Sequence, residues 1–326
     1  MEVRKMNILK YLDFLRSPTN GSELSVDENG LVDKQGNRFD IKDDIPRFVE
    51  KINYADSFGY QWNIFDKVQL DRFSSHDLTS KRFYKNTRWD DPSLKGKNLL
   101  EVGSGAGRFT EVLLKTGVNL FTIDYSNAVE ANWKNNKQNK EFFIAQADIY
   151  NLPFRKNSFD YVFCFGVLQH TPDPKLSFLK LVEFIQPGGQ IAVDVYLKNW
   201  KSLFVTKYWV RPITKRMDKE KLLKFVQWYV PKWFPLSTNL LKVPYVGKFL
   251  AQIIPILNYS DHFPELSKKE LIDWAILDTF DMLSPAYDKP QTLKTLREWA
   301  VTSNLEIIYC GRGDNGYVLV AKKPNH

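Results

Sequence analysis

Between residues 98 and 196, short apolar runs alternate with stretches of helical spacing. Asn98–Val102 is an apolar run entering a cluster of glycines, and a helical pattern follows over Phe109–Lys115. Further apolar runs at Asn119–Asp124, Phe142–Ala147, Phe159–Phe165 and Gln190–Tyr196 read as strands. Helical patterns at Ala128–Asn136 and Lys175–Ile185 separate them, and Pro187-Gly188-Gly189 reads as the turn feeding the fifth strand. Toward the end, helices are expected near Lys268–Leu277 and Leu293–Ser303, then strands at Glu306–Cys310 and Tyr317–Lys322. Strands alternating with helices predict an α/β fold with a parallel, doubly wound sheet. Before residue 98 the pattern differs. Leu24–Val26 and Leu31–Val32 alternate as brief strands around an Asn29-Gly30 turn, and residues 54–95 are polar, aromatic and helical in pieces.

Composition narrows the function classes. The chain has 326 residues, room for about two domains. Its two cysteines, Cys164 and Cys310, exclude a disulfide framework and a cysteine-built zinc or iron–sulfur site. The chain lacks an uncharged apolar run of the roughly 18 residues a spanning helix needs. Lys10 and Asp13 interrupt the N-terminal apolar stretch and spoil a signal-peptide reading, so a cytoplasmic protein is expected.

The net charge of +8 has a single source. Residues 198–257 carry 12 Lys/Arg against Asp218 and Glu220, a balance of +10, which leaves −2 for the remainder. The same segment holds 11 aromatics and five prolines. It reads as an insertion after the fifth strand.

The strongest chemical signal is Glu101-Val102-Gly103-Ser104-Gly105-Ala106-Gly107-Arg108. Glycines let the backbone turn sharply and approach a ligand, and the helix start offers unpaired N–H groups. A dinucleotide fingerprint would need its third glycine at position 108, where Arg108 stands. A phosphate-binding loop would need a following Lys-Ser/Thr pair, which is absent.

An acidic residue two places before three glycines at alternate positions resembles the first motif of the class I S-adenosylmethionine-dependent methyltransferases. Asp124 at the end of the second strand, Asp148-Ile149 after the third, Phe159–His170 around the fourth and Pro187-Gly188-Gly189 continue the resemblance in order. It implies a Rossmann-like seven-stranded sheet and S-adenosyl-L-methionine as cofactor, held by Glu101, Gly103, Ser104, Gly105, Gly107, Asp124, Tyr125, Asp148, Ile149 and Phe165. By the same resemblance Asp124 accepts from the ribose hydroxyls, Asp148 accepts from the adenine amino group and Ile149 packs on the ring. Glu101 either meets the methionine amino group or orders the loop.

Residues 12–50 resemble the small Trm112-like zinc-ribbon module that precedes some of these domains. The metal positions fall by register at Ser17, Asn20, Val32 and Gln35, none a cysteine, so this copy cannot hold zinc that way. The stretch Tyr54–Trp62 resembles segments lying over the cofactor, with Tyr60, Gln61 and Trp62 as contact candidates, or it is an aromatic packing linker. The expected organisation is a degenerate module over 1–52, a helical cofactor-capping linker over 53–97 and a methyltransferase domain over 98–326.

Methyl transfer asks the protein mainly to align an acceptor and, where needed, remove its proton. His170, after the fourth strand, is a candidate base or a turn-held residue shaping the pocket. Asp194 and Tyr196 on the fifth strand are further candidates, because a carboxylate inside an apolar strand needs a reason. Asp278, Asp281 and Tyr287 fall in an Asp-, Tyr- and Pro-rich stretch, 278–292, read as a shaped loop by the acceptor site. In the insertion, Leu203, Phe204, Lys207, Tyr208, Val210 and Arg211 form one apolar stripe with basic flanks, and Leu222, Leu223, Phe225, Val226 and Tyr229 form another. These suit peripheral contact with a membrane surface, an anionic acceptor or a lid over the core. Methylation of an oxygen on a small-molecule or glycan acceptor is the leading expectation. An RNA or protein methyltransferase and a non-catalytic binding protein of the same fold are the alternatives.

Overall fold

The apolar runs pair into one seven-stranded sheet. The computed structural model describes residues 8–28, 30–50, 53–74, 76–138, 142–198, 206–251, 253–263 and 266–325. A small antiparallel sheet comes first: β1 (Leu24–Val26), β2 (Gly30–Asp33), β3 (Arg38–Lys42) and β4 (Ile45–Pro46). Helices α1 (Asp56–Ile64), α2 (Leu78–Thr87) and α3 (Asp91–Leu94) lead into the main domain. There β5 (Asn98–Val102), α4 (Arg108–Thr116), β6 (Asn119–Asp124), α5 (Ala128–Asn136), β7 (Phe143–Gln146), β8 (Phe159–Cys164), α6 (Pro174–Val182) and β9 (Ile185–Val195) alternate. After the insertion come α10 (Lys268–Leu283), α11 (Leu293–Thr302), β10 (Glu306–Arg312) and β11 (Tyr317–Lys322).

The sheet order is β10-β11-β9-β8-β5-β6-β7. Strands β5 to β9 are parallel, β11 runs antiparallel beside β9, and β10 pairs antiparallel with β11 at the edge. The sheet is therefore mixed rather than wholly parallel, because a tight connection joins the last two strands as a hairpin. Helices on both faces explain the unbroken apolar runs of the central strands. Sheet order reverses between β5 and β8, and the crevice beyond their C-terminal ends is where this architecture places ligands.

Two boundaries differ from expectation in ways that matter. The Pro187-Gly188-Gly189 sequence lies inside β9, whose pairing with β8 shifts register there. Helix α10 runs six residues past Leu277, because apolar spacing continues through Phe280 and Leu283, and Pro285 then stops it. Asp278 and Asp281 therefore sit on the last turns of a helix, three residues apart on one face, not in a loop.

The N-terminal sheet packs directly on the main domain. Tyr11 meets Phe121 edge-on at 5.4 Å, Phe14 packs tilted against it at 4.7 Å, and Phe48 N–H donates to the Gln146 carbonyl at 2.8 Å. At its centre is a buried carboxylate. Buried Asp33 accepts from Ser17 Oγ (2.7 Å), Asn20 Nδ2 (2.8 Å), Asn37 Nδ2 (2.8 Å) and the backbone N–H of Gln35 and Asn37. Burial alone would raise its pKa, but the donors from Asn37, Ser17 and Gln35 outweigh it and hold the carboxyl well below the usual range. Ser17, Asn20 and Gln35 meet at this hub, whereas Val32 does not. Among the described residues no cluster suits a metal ion.

Asp33→Ala is expected to accelerate amide exchange throughout β1–β3, while a chelator leaves the thermal midpoint unchanged. The lowered folded-state pKa fixes the sign with pH: the hub stabilises above about pH 4, the unfolded carboxylate value, and the contribution fades as pH falls further.

The insertion builds its own helical layer from α7 (Lys207–Thr214), α8 (Lys219–Leu241) and α9 (Gly247–Ala251). Leu222, Leu223, Val226, Val230 and Phe234 of α8 pack with Leu271, Ala275 and Phe280 of α10. The second expected stripe splits, with Leu222, Leu223 and Val226 facing inward and Phe225 outward; of the first, Leu203 and Phe204 lie outside the described residues. Lys207 and Arg211, expected as outward basic flanks, turn inward. Lys207 pairs with Asp288 at 2.9 Å, and buried Arg211 donates to the carbonyls of Met282 (2.7 Å) and Pro285 (3.0 Å).

Candidate active site

A cavity of about 940 Å³ opens beyond the C-terminal ends of β5, β6 and β8, at the point where sheet order reverses. Its walls include Gly103, Ser104, Gly105, Asp124, Tyr125 and Phe165, together with Trp62 from α1. The glycine loop is a built cradle. Gly103 has φ +79°, and a Cβ there would lie 2.1 Å from Val167 Cγ2. Gly107 has φ +89°, and its Cβ would lie 2.2 Å from Asn132 Oδ1 and 2.3 Å from Asn136 Nδ2. Gly107→Ala is expected to cost roughly 1–3 kcal/mol by urea denaturation, from the left-handed backbone and the crowding together.

An asparagine network braces this loop from behind. Asn135 Nδ2 donates to the Ala106 carbonyl at 2.9 Å, and Asn136 Nδ2 to the Gly107 carbonyl at 3.1 Å. Asn132 donates to Thr110 Oγ1 (2.8 Å), and Thr110 donates to Glu101 Oε2 (2.6 Å). Glu101 is buried under the loop, is held by Thr110, and does not line the cavity. Burial raises its carboxyl to about 7 against the hydrogen bond from Thr110. Sequence spacing marked α5 only as a helix and left these asparagines unnoticed.

Asp124 does line the cavity. Its carboxylate accepts from the N–H of Gly105 (2.9 Å) and from the N–H (2.8 Å) and Oγ (2.6 Å) of Ser126. Burial raises its pKa despite these donors. Tyr54 and Tyr125 pack 4.8 Å apart on the wall beside Ile149. Asp148 stands just behind, accepting from the Tyr150 N–H at 3.0 Å. Trp62 lies against the loop, its Nε1 3.1 Å from where a Gly105 Cβ would be. Of the other two candidates, Gln61 is buried beside Asp281, and Tyr60 packs on Phe280 at 6.4 Å, away from the cavity. The glycine cradle, the terminal carboxylate, the buried, unpartnered Ser104 Oγ and the flat aromatic walls fit an adenosyl ligand.

The rest of the cavity is a chamber of mixed charge. Asp278, Asp281 and Asp288 line it with Arg82, Arg108 and Lys207. Burial first, and then Asp281, raise Asp278 to about 6; burial and Asp288 raise Asp281 to about 6. Arg108 is drawn down to about 10 by burial and by Arg82 and stays charged. It donates to Gln69 Oε1, whose amide donates in turn to Asp278 at 3.2 Å.

His170 lines the same chamber. Its Nδ1 lies 3.0 Å from the Tyr287 carbonyl, which can only accept, so Nδ1 carries the proton. Burial lowers its pKa to about 4, and the buried Nε2 has no partner and keeps its lone pair. Phe58 and Tyr196 hold the ring edge-on at 5.1 and 5.3 Å.

Three sequence candidates take other roles. Asp194 is not a free acceptor, because its oxygens are committed to Arg82 Nη2 (2.8 Å) and to the Gly166 N–H. A buried carboxylate needed a partner, and α2 supplied it from 112 residues away. The Tyr196 phenol is pushed far up by burial and by Asp281, so it stays protonated. Tyr287 contributes its carbonyl, while its ring packs on Tyr54 at 5.5 Å rather than on the cavity. Arg82 and Tyr259, which also line the cavity, carry no signal in the sequence reading. Arg108 was read only as the residue that broke a dinucleotide pattern.

Residues 100–193 match the family described as a methyltransferase domain. A ubiquinone biosynthesis O-methyltransferase of Coxiella burnetii is 31% identical over 116 residues, which is 35% of this chain and 50% of that protein. Phosphoethanolamine N-methyltransferase 2 of Caenorhabditis elegans is 31% identical over 111 residues, 32% of this chain and 25% of that protein. The chain therefore spans half or less of the length of these relatives. The solved magnesium protoporphyrin IX methyltransferase of Synechocystis, 13% identical, aligns over 83% of this chain and 96% of its own with a TM-score of 0.48. The chain thus carries a class I methyltransferase domain, with its core at residues 100–193 and S-adenosylmethionine as the cofactor of that domain.

Proposed function

We propose that the whole chain transfers a methyl group to an oxygen of a small-molecule or glycan-type acceptor bound in the mixed-charge chamber. The observation that carries this reading is the pair Asp278 and Asp281, lining the same cavity as the glycine loop. Bound S-adenosylmethionine would supply an electrophilic methyl group and be held by the Gly103–Gly107 loop, Asp124, Trp62 and the Tyr54–Tyr125 wall.

The chain's own residues do the rest. Arg82, Arg108 and Lys207 attract and orient an acceptor carrying negative or hydroxyl groups. The unpaired lone pair of His170 Nε2 accepts a hydrogen bond from an acceptor hydroxyl, and the Tyr196 phenol donates one. A carboxylate of the Asp278–Asp281 pair takes the hydroxyl proton as the new carbon–oxygen bond forms and the carbon–sulfur bond breaks. The aspartates suit that task better than His170, because a base that titrates near 6 accepts a proton more readily than one near 4.

Labelled cofactor incubated with fractionated lysate tests the acceptor class. Label should appear in the small-molecule or glycan fraction; label confined to RNA or protein overturns the proposal.

A further inference from the structure

Large apolar side chains stand on the outside of the insertion, where a self-contained domain would place polar ones. Trp209 and Ile213 of α7 are each 70% exposed, Trp228 of α8 is 60% exposed, and Phe249 and Ile253 are 57% and 58% exposed. The two faces of α8 explain how this arises. Leu222, Val226, Val230 and Phe234 fill the core, which leaves Lys221, Phe225, Trp228 and Lys232 on the outer face at helical spacing. Phe225 and Trp228 lie 6.1 Å apart, with Lys232 Nζ 5.0 Å from the Trp228 ring. The start of α7 is tied to the segment after α9, because Thr206 Oγ1 donates to the Ile253 carbonyl at 3.1 Å. Trp209, one turn further on, therefore shares that end of the layer with Ile253 and Phe249.

Cations accompany this apolar surface. Lys215, Arg216, Lys221, Lys232 and Lys242 are all exposed. The segment's two acids are already engaged: Asp218 caps α8 by accepting from the Lys221 N–H at 3.0 Å, and Glu220 pairs with Lys224 at 2.6 Å.

We infer that α7–α9 form an interfacial platform that docks on an anionic lipid bilayer. Trp and Phe enter the headgroup region, and Lys and Arg meet the lipid phosphates. The charge argues against a second copy of the chain as occupant, since two such faces repel. The exposed Ile213 and Ile253 argue against nucleic acid, whose phosphates offer them nothing to bury against. No helix among the described residues is long and apolar enough to cross a membrane, so the contact is one of lying on the surface. The platform borders the cavity: Lys207 and Leu257 line it, two and four residues from Trp209 and Ile253. The docking itself stands whether or not the proposed methyl transfer does.

Co-sedimentation of the full chain with phosphatidylcholine vesicles, with and without phosphatidylglycerol, tests it. Binding should be at least about tenfold tighter to the anionic vesicles, fall as salt is raised, and shift tryptophan emission to the blue. A Trp209→Ser, Phe249→Ser double variant should bind about tenfold more weakly from the lost apolar burial. A Lys221→Glu, Lys232→Glu variant should lose the salt-sensitive part. Both change exposed side chains, so their thermal midpoints and their S-adenosylmethionine binding should match the parent, which separates loss of docking from loss of fold. Absence of binding to anionic vesicles, or binding that neither variant alters, overturns the inference. So does self-association that both variants abolish, which would assign the surface to a second copy.

Discussion

Asp124→Ala should weaken S-adenosylmethionine binding by about 100- to 1,000-fold in calorimetry, from the loss of two charge-assisted hydrogen bonds. Its carboxylate stands at the end of β6 on the cavity wall and also ties down the Gly105 N–H at 2.9 Å. The substitution therefore removes a ligand contact and loosens the loop that forms the rest of the cradle. Ser126→Ala separates these effects. It deletes one donor to Asp124 and leaves the carboxylate on the wall, so its loss should stay within about tenfold. Parent-like affinity in Asp124→Ala would refute the cofactor placement, and no binding by the parent chain would remove the enzymatic reading altogether.

The second expectation concerns the chamber. Asp278→Asn and Asp281→Asn should each be compared with the parent over a pH series, with the true base losing about 100-fold or more in kcat. Because both carboxyls are raised to about 6, the parent rate should climb with pH through that value and level off above it. The pair repels itself, so its two apparent pKa values belong to both residues. Removing the partner that is not the base should leave the rising limb but move it to lower pH; removing the base should erase it.

Stability runs the other way. A carboxyl whose folded pKa lies above its unfolded value favours the fold at low pH and costs stability as pH rises through the folded value. Each asparagine variant should thus melt at or above the parent's temperature at pH 8, which rules out unfolding as the cause of lost activity. Full kcat in both variants, with a parent rate flat from acid to neutral pH, would remove the pair from the mechanism.

Much of the architecture is local information. Asn98–Val102, Asn119–Asp124, Ala128–Asn136 and Tyr317–Lys322 are read at their observed bounds, because apolar runs and helical spacing record burial residue by residue. The glycine loop was legible for the same reason, since its left-handed backbone restricts the residue types at its own positions. Asp278 and Asp281 were legible as candidates but not as helical residues, because the stretch's Asp, Tyr and Pro content outweighed apolar spacing that ran on through Leu283.

What stayed hidden depended on partners distant in sequence. Asp33 became the centre of the N-terminal sheet only when Ser17, Asn20 and Asn37 folded around it. Asp194 called for a partner that only the fold supplied, in Arg82 of α2. Lys207 and Arg211 looked like surface charge until Asp288 and the end of α10 turned them inward. The sequence alone determined the order of strands, the glycine cradle and the segment that carries the excess charge, all properties of neighbouring residues. Only the tertiary structure decided which charges face the chamber, which are cancelled and which remain outside. A charge's role depends on its burial and on its nearest opposite partner, and both are set by folding across the chain.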